Sequence, residues 1–233
     1  MSLLGTGEWS DFYEPAERAD EISVRRPFYP RRHGGASQRH LLDALGVERL
    51  DELRRRCELR TPSRRAAAPL FWTLGAQQVG RAAIVGWRDV LAPALADATL
   101  DVVLWPFAGR LADLASPGRA VIAETYPTEF YSQLGFDFRG RGKRDADARA
   151  AAGRPLLDRA AWTGILVEPR LATAVRDGFR REGDDAFDAA VGLFGMLGVV
   201  TGRRPEGEPP VGLGPVEGWI LGQAGELPEP LRS

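Results

Sequence analysis

Residues 101–135 read DVVLWPFAGRLADLASPGRAVIAETYPTEFYSQLG, and this stretch alternates between two kinds of pattern. The runs at 101–106 and 119–127 are short, apolar and closed by proline, which is typical of buried strands. Helical segments follow them at 108–115 and 127–135, the second beginning at proline and ending at glycine. Two strands joined by a crossover helix predict a parallel pair, so the predicted fold class is α/β.

Helical patterns flank this stretch on both sides. Residues 36–57 predict two helices, residues 72–95 a buried helix that ends at Pro93, and residues 184–200 a last, strongly apolar helix. The predicted organisation is an extended segment at 1–35, a single α/β domain at 36–223 that includes a helical insertion at 36–95, and a tail at 224–233.

Composition excludes several classes of protein. A net charge of −1 gives no global field toward nucleic acid, so such binding would need a local Arg/Lys patch. The basic run at 54–60 (RRRCELR) is one candidate, either as a solvated helix end or as a phosphate contact. Cys57 is the only cysteine, which excludes an internal disulfide. The apolar run at 189–200 is shorter than the roughly 20 residues that span a bilayer, so we expect no membrane association and a cytoplasmic location.

Glu124 stands at the carboxyl end of the second predicted strand, after Val121, Ile122 and Ala123. Ligands of open α/β sheets bind beyond the carboxyl ends of strands. A buried carboxylate there needs a cation or hydrogen-bond donors to compensate it. Glu124 is therefore either one half of a salt bridge to an arginine or part of a functional site.

Acidic residues open the last predicted helix in GDDAFD, residues 183–188. Asp184 is placed to cap the helix, whereas Asp185 and Asp188 are three apart and share a face, with Cβ atoms about 5–6 Å apart. Asp188 lies in an otherwise apolar segment, where the helix dipole explains it less well than a cation would. Glu124, Asp185 and Asp188 together offer hard oxygen ligands suited to Mg²⁺ or Mn²⁺.

Several motifs together resemble the DUF429 family of predicted nucleases. They are AETYPTEFYSQLG (123–135), the following Lys143, GDDAFDAAVGLFG (183–195), EGWILGQ (217–223), RPFYP (26–30) and FWTLGAQQVGRAAIVGW (71–87), so that the resemblance covers about residues 20–223. It implies a ribonuclease-H-like mixed sheet flanked by helices, and a divalent-metal-dependent nuclease. Glu124 then matches the later-strand acid and Asp185 or Asp188 the helix acid, while Lys143 either contacts phosphate or is a plain surface lysine.

The resemblance has one departure. The family pattern requires an aspartate on a first apolar strand near the N-terminus, and residues 1–25 contain no such strand; Asp11 and Asp20 stand in the wrong context. Either the first strands are truncated, which would expose a sheet edge suited to homo-oligomerisation, or this ligand has been lost.

Two functions follow from this departure. One is a metal-dependent nuclease, inactive if the first-strand ligand is absent, and the alternative is a non-catalytic binding or assembly module that retains the fold with an incomplete metal site. A phosphotransferase is a third hypothesis, which the lack of a Gly-rich phosphate loop disfavours.

Overall fold

The computed structural model describes residues 38–39, 42, 47–61, 64–70, 72, 79–136, 138, 140–207, 209 and 217–223. Its contacts divide the chain into two compact units, one of residues 1–123, 208–219 and 225–233, the other of residues 124–207 and 220–224. The described residues do not include the predicted segments at 1–35 and 224–233 or most of the first predicted helical region. They therefore do not test whether a first strand carries an aspartate. The predicted domain boundaries stay a prediction.

The first unit contains the parallel strand pair that the sequence predicts. Its elements are 3-10 helices at Leu50–Leu53 and Arg56–Glu58, α1 (Val79–Gly86), a π-helical turn (Trp87–Leu91), α2 (Ala92–Ala96), β1 (Asp101–Leu104), α3 (Leu111–Leu114) and β2 (Arg119–Ile122). Strands β1 and β2 pair in parallel, in a register that runs from Asp101 opposite Arg119 to Leu104 opposite Ile122. The α/β class and the parallel pairing are confirmed.

Two local predictions in this unit are wrong. Helical backbone does not stop at Pro93 but continues to Ala96. Pro93 is the second residue of α2, directly after the π-helical turn, so it lies within continuous helical backbone. Within the basic run at 54–60, Arg56–Glu58 forms a 3-10 turn, and the Arg55 guanidinium pairs with the buried Glu58 carboxylate at 2.9 Å. The run is therefore not a solvated helix end, and the phosphate contact stays a prediction.

The second unit is mainly helical. Its elements are α4 (Pro127–Gln133), α5 (Ala146–Trp162), α6 (Pro169–Arg176) and α7 (Asp184–Val200), with a short parallel bridge between Glu124 and Ile220. The bridge is completed by the Leu221 N–H, which donates to the Glu124 carbonyl at 2.9 Å. The core is apolar and consists of Phe130, Ala152, Leu156, Ala160, Val175, Phe179, Phe187, Ala190, Val191 and Phe194. Because α7 supplies four of these residues, its apolar sequence is explained by burial.

Two glycines let other elements approach α7 closely. A Cβ built on Gly195 would fall inside the van der Waals envelope of the Phe130 ring, which belongs to α4. A Cβ built on Gly192 would lie 3.2 Å from the Thr125 hydroxyl. Thr125 follows Glu124, so the chain segment that carries Glu124 packs on the same helix as Asp188.

Replacing Gly195 by alanine is expected to lower the free energy of unfolding by about 2–3 kcal/mol, because the added methyl collides with a buried ring. Gly198→Ala is the matched control, since it lies on the same helix with its nearest neighbour, Arg204 Cδ, at 3.7 Å. That substitution should raise stability by up to about 1 kcal/mol through helix propensity. Urea unfolding followed by circular dichroism measures both, and equal effects would show that Phe130 does not pack on Gly195.

None of the helices in the described part of the chain is long and apolar enough to cross a bilayer.

Candidate functional site

Helix α7 begins as predicted, but its cap differs from the expectation. Gly183 occupies the N-cap position with φ +92°, and Asp184 is the first helical residue. The predicted capping role of Asp184 is therefore wrong. Glycine adopts this backbone conformation readily, and it leaves the Asp184 side chain available to a neighbouring group.

Asp188 is engaged on both carboxylate oxygens. The Tyr131 hydroxyl donates to Asp188 Oδ1, and the Lys143 ammonium donates to Asp188 Oδ2. Lys143 Nζ also lies 3.9 Å from Asp184 Oδ2, so one ammonium faces two carboxylates. We call Tyr131, Lys143, Asp184 and Asp188 the Asp188 cluster. It joins α4, the loop before α5, and the first turns of α7.

Three phenylalanine rings surround the ring of Tyr131. Its ring centroid lies 5.9 Å from that of Phe136, 5.2 Å from that of Phe138 and 6.3 Å from that of Phe187. Burial, and then the hydrogen bond to Asp188, raise the pKa of the Tyr131 hydroxyl. Tyr131 therefore keeps its proton and acts as a fixed donor to Asp188.

Arg149 fixes the backbone around Lys143. Its guanidinium is buried, with the residue 4% exposed, and donates at 2.7 Å to the carbonyl of Lys143 and at 2.7 Å to that of Gly178. A third bond of 3.3 Å goes to the carbonyl of Phe179. Gly178 and Phe179 have positive φ angles of +66° and +51° and form a sharp turn before α7. Arg149 donates to the carbonyl groups of both turn residues.

The structure brings together some of the predicted site residues. Lys143 and Asp188 are in contact, whereas Asp185 points to solvent from the first turn of α7. Glu124 is half-buried at its bridge to Ile220. Within the described ranges, no three His, Cys, Asp or Glu side chains converge in a way that could hold a metal ion.

Glu124 nevertheless has a defined relation to Asp188. Thr125, its neighbour in sequence, lies against Gly192. Gly192 is one helical turn after Asp188, and residues four apart share a face of a helix. Thr125, which follows Glu124, therefore packs on the side of α7 that carries Asp188.

The acidic side chains of this region carry the type of donor atom that hard divalent cations prefer, although they do not converge on one point within the described residues. Glu124, Asp184 and Asp188 supply only carboxylate oxygens, which Mg²⁺ and Mn²⁺ prefer. Two of these carboxylates already face a positive charge, the Lys143 ammonium.

Comparisons of the chain with protein-family models, with curated proteins and with solved structures find no match. The candidate site therefore rests on the residues and contacts of this chain.

Two members of the site were missed by reasoning from the sequence. Tyr131 could have been found, because it stands four residues after Pro127 in a short helix and carries the polar group on an aromatic-rich face. Arg149 could not, because its acceptors are carbonyl groups that the sequence does not distinguish.

Proposed function

We propose that this protein is a divalent-metal-dependent phosphodiester hydrolase with a ribonuclease-H-like arrangement, and that it acts on nucleic acid. The observation that supports it is the approach of Thr125 to Gly192, which directs the Glu124 segment and Asp188 to one side of α7. The sequence resemblance supports the same pair of acids. Mg²⁺ or Mn²⁺ is the metal that their oxygens would hold.

The residues of the chain have separate tasks in this proposal. Bound metal would activate water and neutralise developing charge on the phosphate. Asp188 and Glu124 would hold it, with the exposed Asp185 of the same helix as a further candidate ligand, and the Tyr131 hydroxyl orients Asp188 by its hydrogen bond. Lys143, whose side chain is 39% exposed, can contact a substrate phosphate.

The alternative is a non-catalytic binding or assembly module. Two observations favour it: Asp188 is already paired with Tyr131 and Lys143, and no group of three metal-ligating side chains forms in the part of the chain that is described. Such a module would bind nucleic acid or a protein without cleaving it.

A cleavage assay with labelled RNA and DNA, single-stranded and duplex, separates the two functions. With Mn²⁺ present we expect cleavage by the wild-type protein, and a loss of about a hundredfold in Glu124→Gln, the scale of removing one group that stabilises a transition state. Glu182→Gln is the control, because it also removes one carboxylate charge, from an exposed residue just before α7. Nucleic acid that is bound and never cleaved would favour the module, and equal cleavage by both variants would contradict the site.

A further inference from the structure

The last residue of α5 leaves an aromatic ring in solvent. Trp162 is 82% exposed, although tryptophan side chains are largely buried on average. Leu166, four residues later, is 98% exposed, and Val200, the last residue of α7, is 66% exposed. The apolar core of the second unit therefore does not use this ring.

Arg203 lies over the ring of Trp162. Its guanidinium carbon is 5.2 Å from the ring centroid, which is within the range of a cation–π contact. The backbone that carries it is fixed, since the N–H groups of Arg203 and Arg204 both donate to the carbonyl of Gly198, at 3.0 and 3.1 Å. An indole from the end of α5 and a guanidinium from the turn after α7 therefore meet at one surface.

Two further arginines bring positive charge to this contact. Arg159 is exposed one helical turn before Trp162, so the two residues share a face of α5. Burial, and then the charge of Arg159, lower the pKa of the Arg204 guanidinium, while the buried Glu129 carboxylate acts in the opposite sense. Arg159 and Arg204 are thus close enough to repel each other, and an anion beside them would relieve this repulsion.

We call Arg159, Trp162, Arg203 and Arg204 the Trp162 surface. The two segments that carry it, 158–166 and 198–204, contain three arginines and one acidic residue, Asp158, in a chain whose net charge is −1. The dipole of α7 favours cations just after its last turn, which accounts for two of the arginines but not for an indole in solvent. Charge and exposed ring together point to an anionic partner with an aromatic group.

We propose that the Trp162 surface binds a single strand of nucleic acid, with a base stacked on the indole and phosphates beside the arginines. An exposed ring among guanidinium groups matches a strand whose flat bases alternate with phosphates. A duplex hides the faces of its bases, so it would contact only the arginines. The inference rests on the proposed function for the class of its partner, and it adds the form of the nucleic acid and the place where it is held.

Fluorescence anisotropy of a fluorescein-labelled oligo(dT) measures this binding. The strand has about 12 nucleotides, a length typical of one single-strand-binding fold, and EDTA prevents metal-dependent cleavage. The wild-type protein should bind this strand more tightly than a duplex of the same length. Trp162→Ala should weaken binding of the strand by about fivefold or more, because one base loses its stacking partner. Trp162→Phe keeps a ring and should bind nearly as the wild type does.

The salt dependence of the binding separates charge from stacking. Arg203→Ala should make the slope of log affinity against log salt concentration shallower by about 0.7, the value for one phosphate contact on a single strand. Trp162→Ala should leave this slope unchanged. Arg176→Ala is the matched control, because it removes an exposed arginine of α6 beside Val175, which packs on Gly153 in the first half of α5. It should change neither affinity nor slope.

An anionic membrane is the other partner that exposed apolar residues and arginines could meet. Leu166→Ser distinguishes the two, because Leu166 has no ring on which a base could stack. It should leave binding of the oligonucleotide unchanged. Vesicles of phosphatidylserine and phosphatidylcholine that bind the wild type, and bind Leu166→Ser more weakly, would overturn the proposal if the oligonucleotide does not bind.

The outcomes separate this inference from the proposed function. No binding of the single strand, or equal affinities of the wild type and Trp162→Ala, would contradict the Trp162 surface. A strand that is bound in EDTA and never cleaved in Mn²⁺ supports the surface and contradicts the hydrolase. Cleavage together with unaltered binding by Trp162→Ala supports the hydrolase and contradicts the surface. Circular dichroism of each variant confirms that it is folded.

Discussion

Gly178→Ala is expected to lower the free energy of unfolding by about 3–5 kcal/mol, combining backbone strain with a collision. Gly178 has φ +66°, and a Cβ there would overlap the Ala146 carbonyl oxygen and lie 2.7 Å from the Ala150 nitrogen. Both atoms belong to the backbone of α5 and cannot move aside as a side chain could. Urea unfolding followed by circular dichroism gives the change in free energy.

Gly164→Ala separates the two causes of this loss. Gly164 has a similar φ of +70°, but nothing lies within 4 Å of a Cβ built on it. Its replacement should cost only the conformational strain, about 1–2 kcal/mol. If the two variants lose the same stability, α5 does not approach Gly178 as described.

Arg149→Met should have the second large effect, a loss of about 3–4 kcal/mol. Methionine keeps an unbranched apolar chain but leaves the carbonyls of Lys143, Gly178 and Phe179 without their shared donor in a buried place. Arg154→Met, an exposed arginine on the same helix, should change stability by less than about 0.5 kcal/mol. Thermal and urea unfolding check both variants, and equal losses would mean that the buried guanidinium does not hold these carbonyls.

Parts of the fold could be predicted from the sequence because local chemistry decides them. Strands β1 and β2 combine β-branched residues with nearby prolines, and α7 begins after a glycine and is apolar from Ala189 to its last residue. The π-helical turn at Trp87–Leu91 could not be predicted, because residue preferences do not distinguish a π-helical turn from an α-helix. Pro93 was misjudged for that reason, since it stands at the start of a new α-helical segment.

The candidate site was predictable only in part. Asp185 and Asp188 share a face by helical spacing, but the spacing does not say how deeply each is buried, and only Asp188 meets another element. Lys143 and Asp188 were both singled out, yet their pairing depends on a contact between residues 45 positions apart. Arg149 is one of many arginines, and its role depends on the carbonyl groups of Gly178 and Phe179, which lie about 30 positions away in the sequence.

The proposed hydrolase requires a divalent cation at Asp188, and a Mn²⁺ titration monitored by electron paramagnetic resonance tests this requirement most directly. The wild-type protein should bind Mn²⁺, and Asp188→Asn should weaken this binding by about tenfold or more. Asp158→Asn, which removes an exposed carboxylate of α5, should leave the affinity unchanged. Equal affinities in all three proteins, or no binding by the wild type, would contradict the claim.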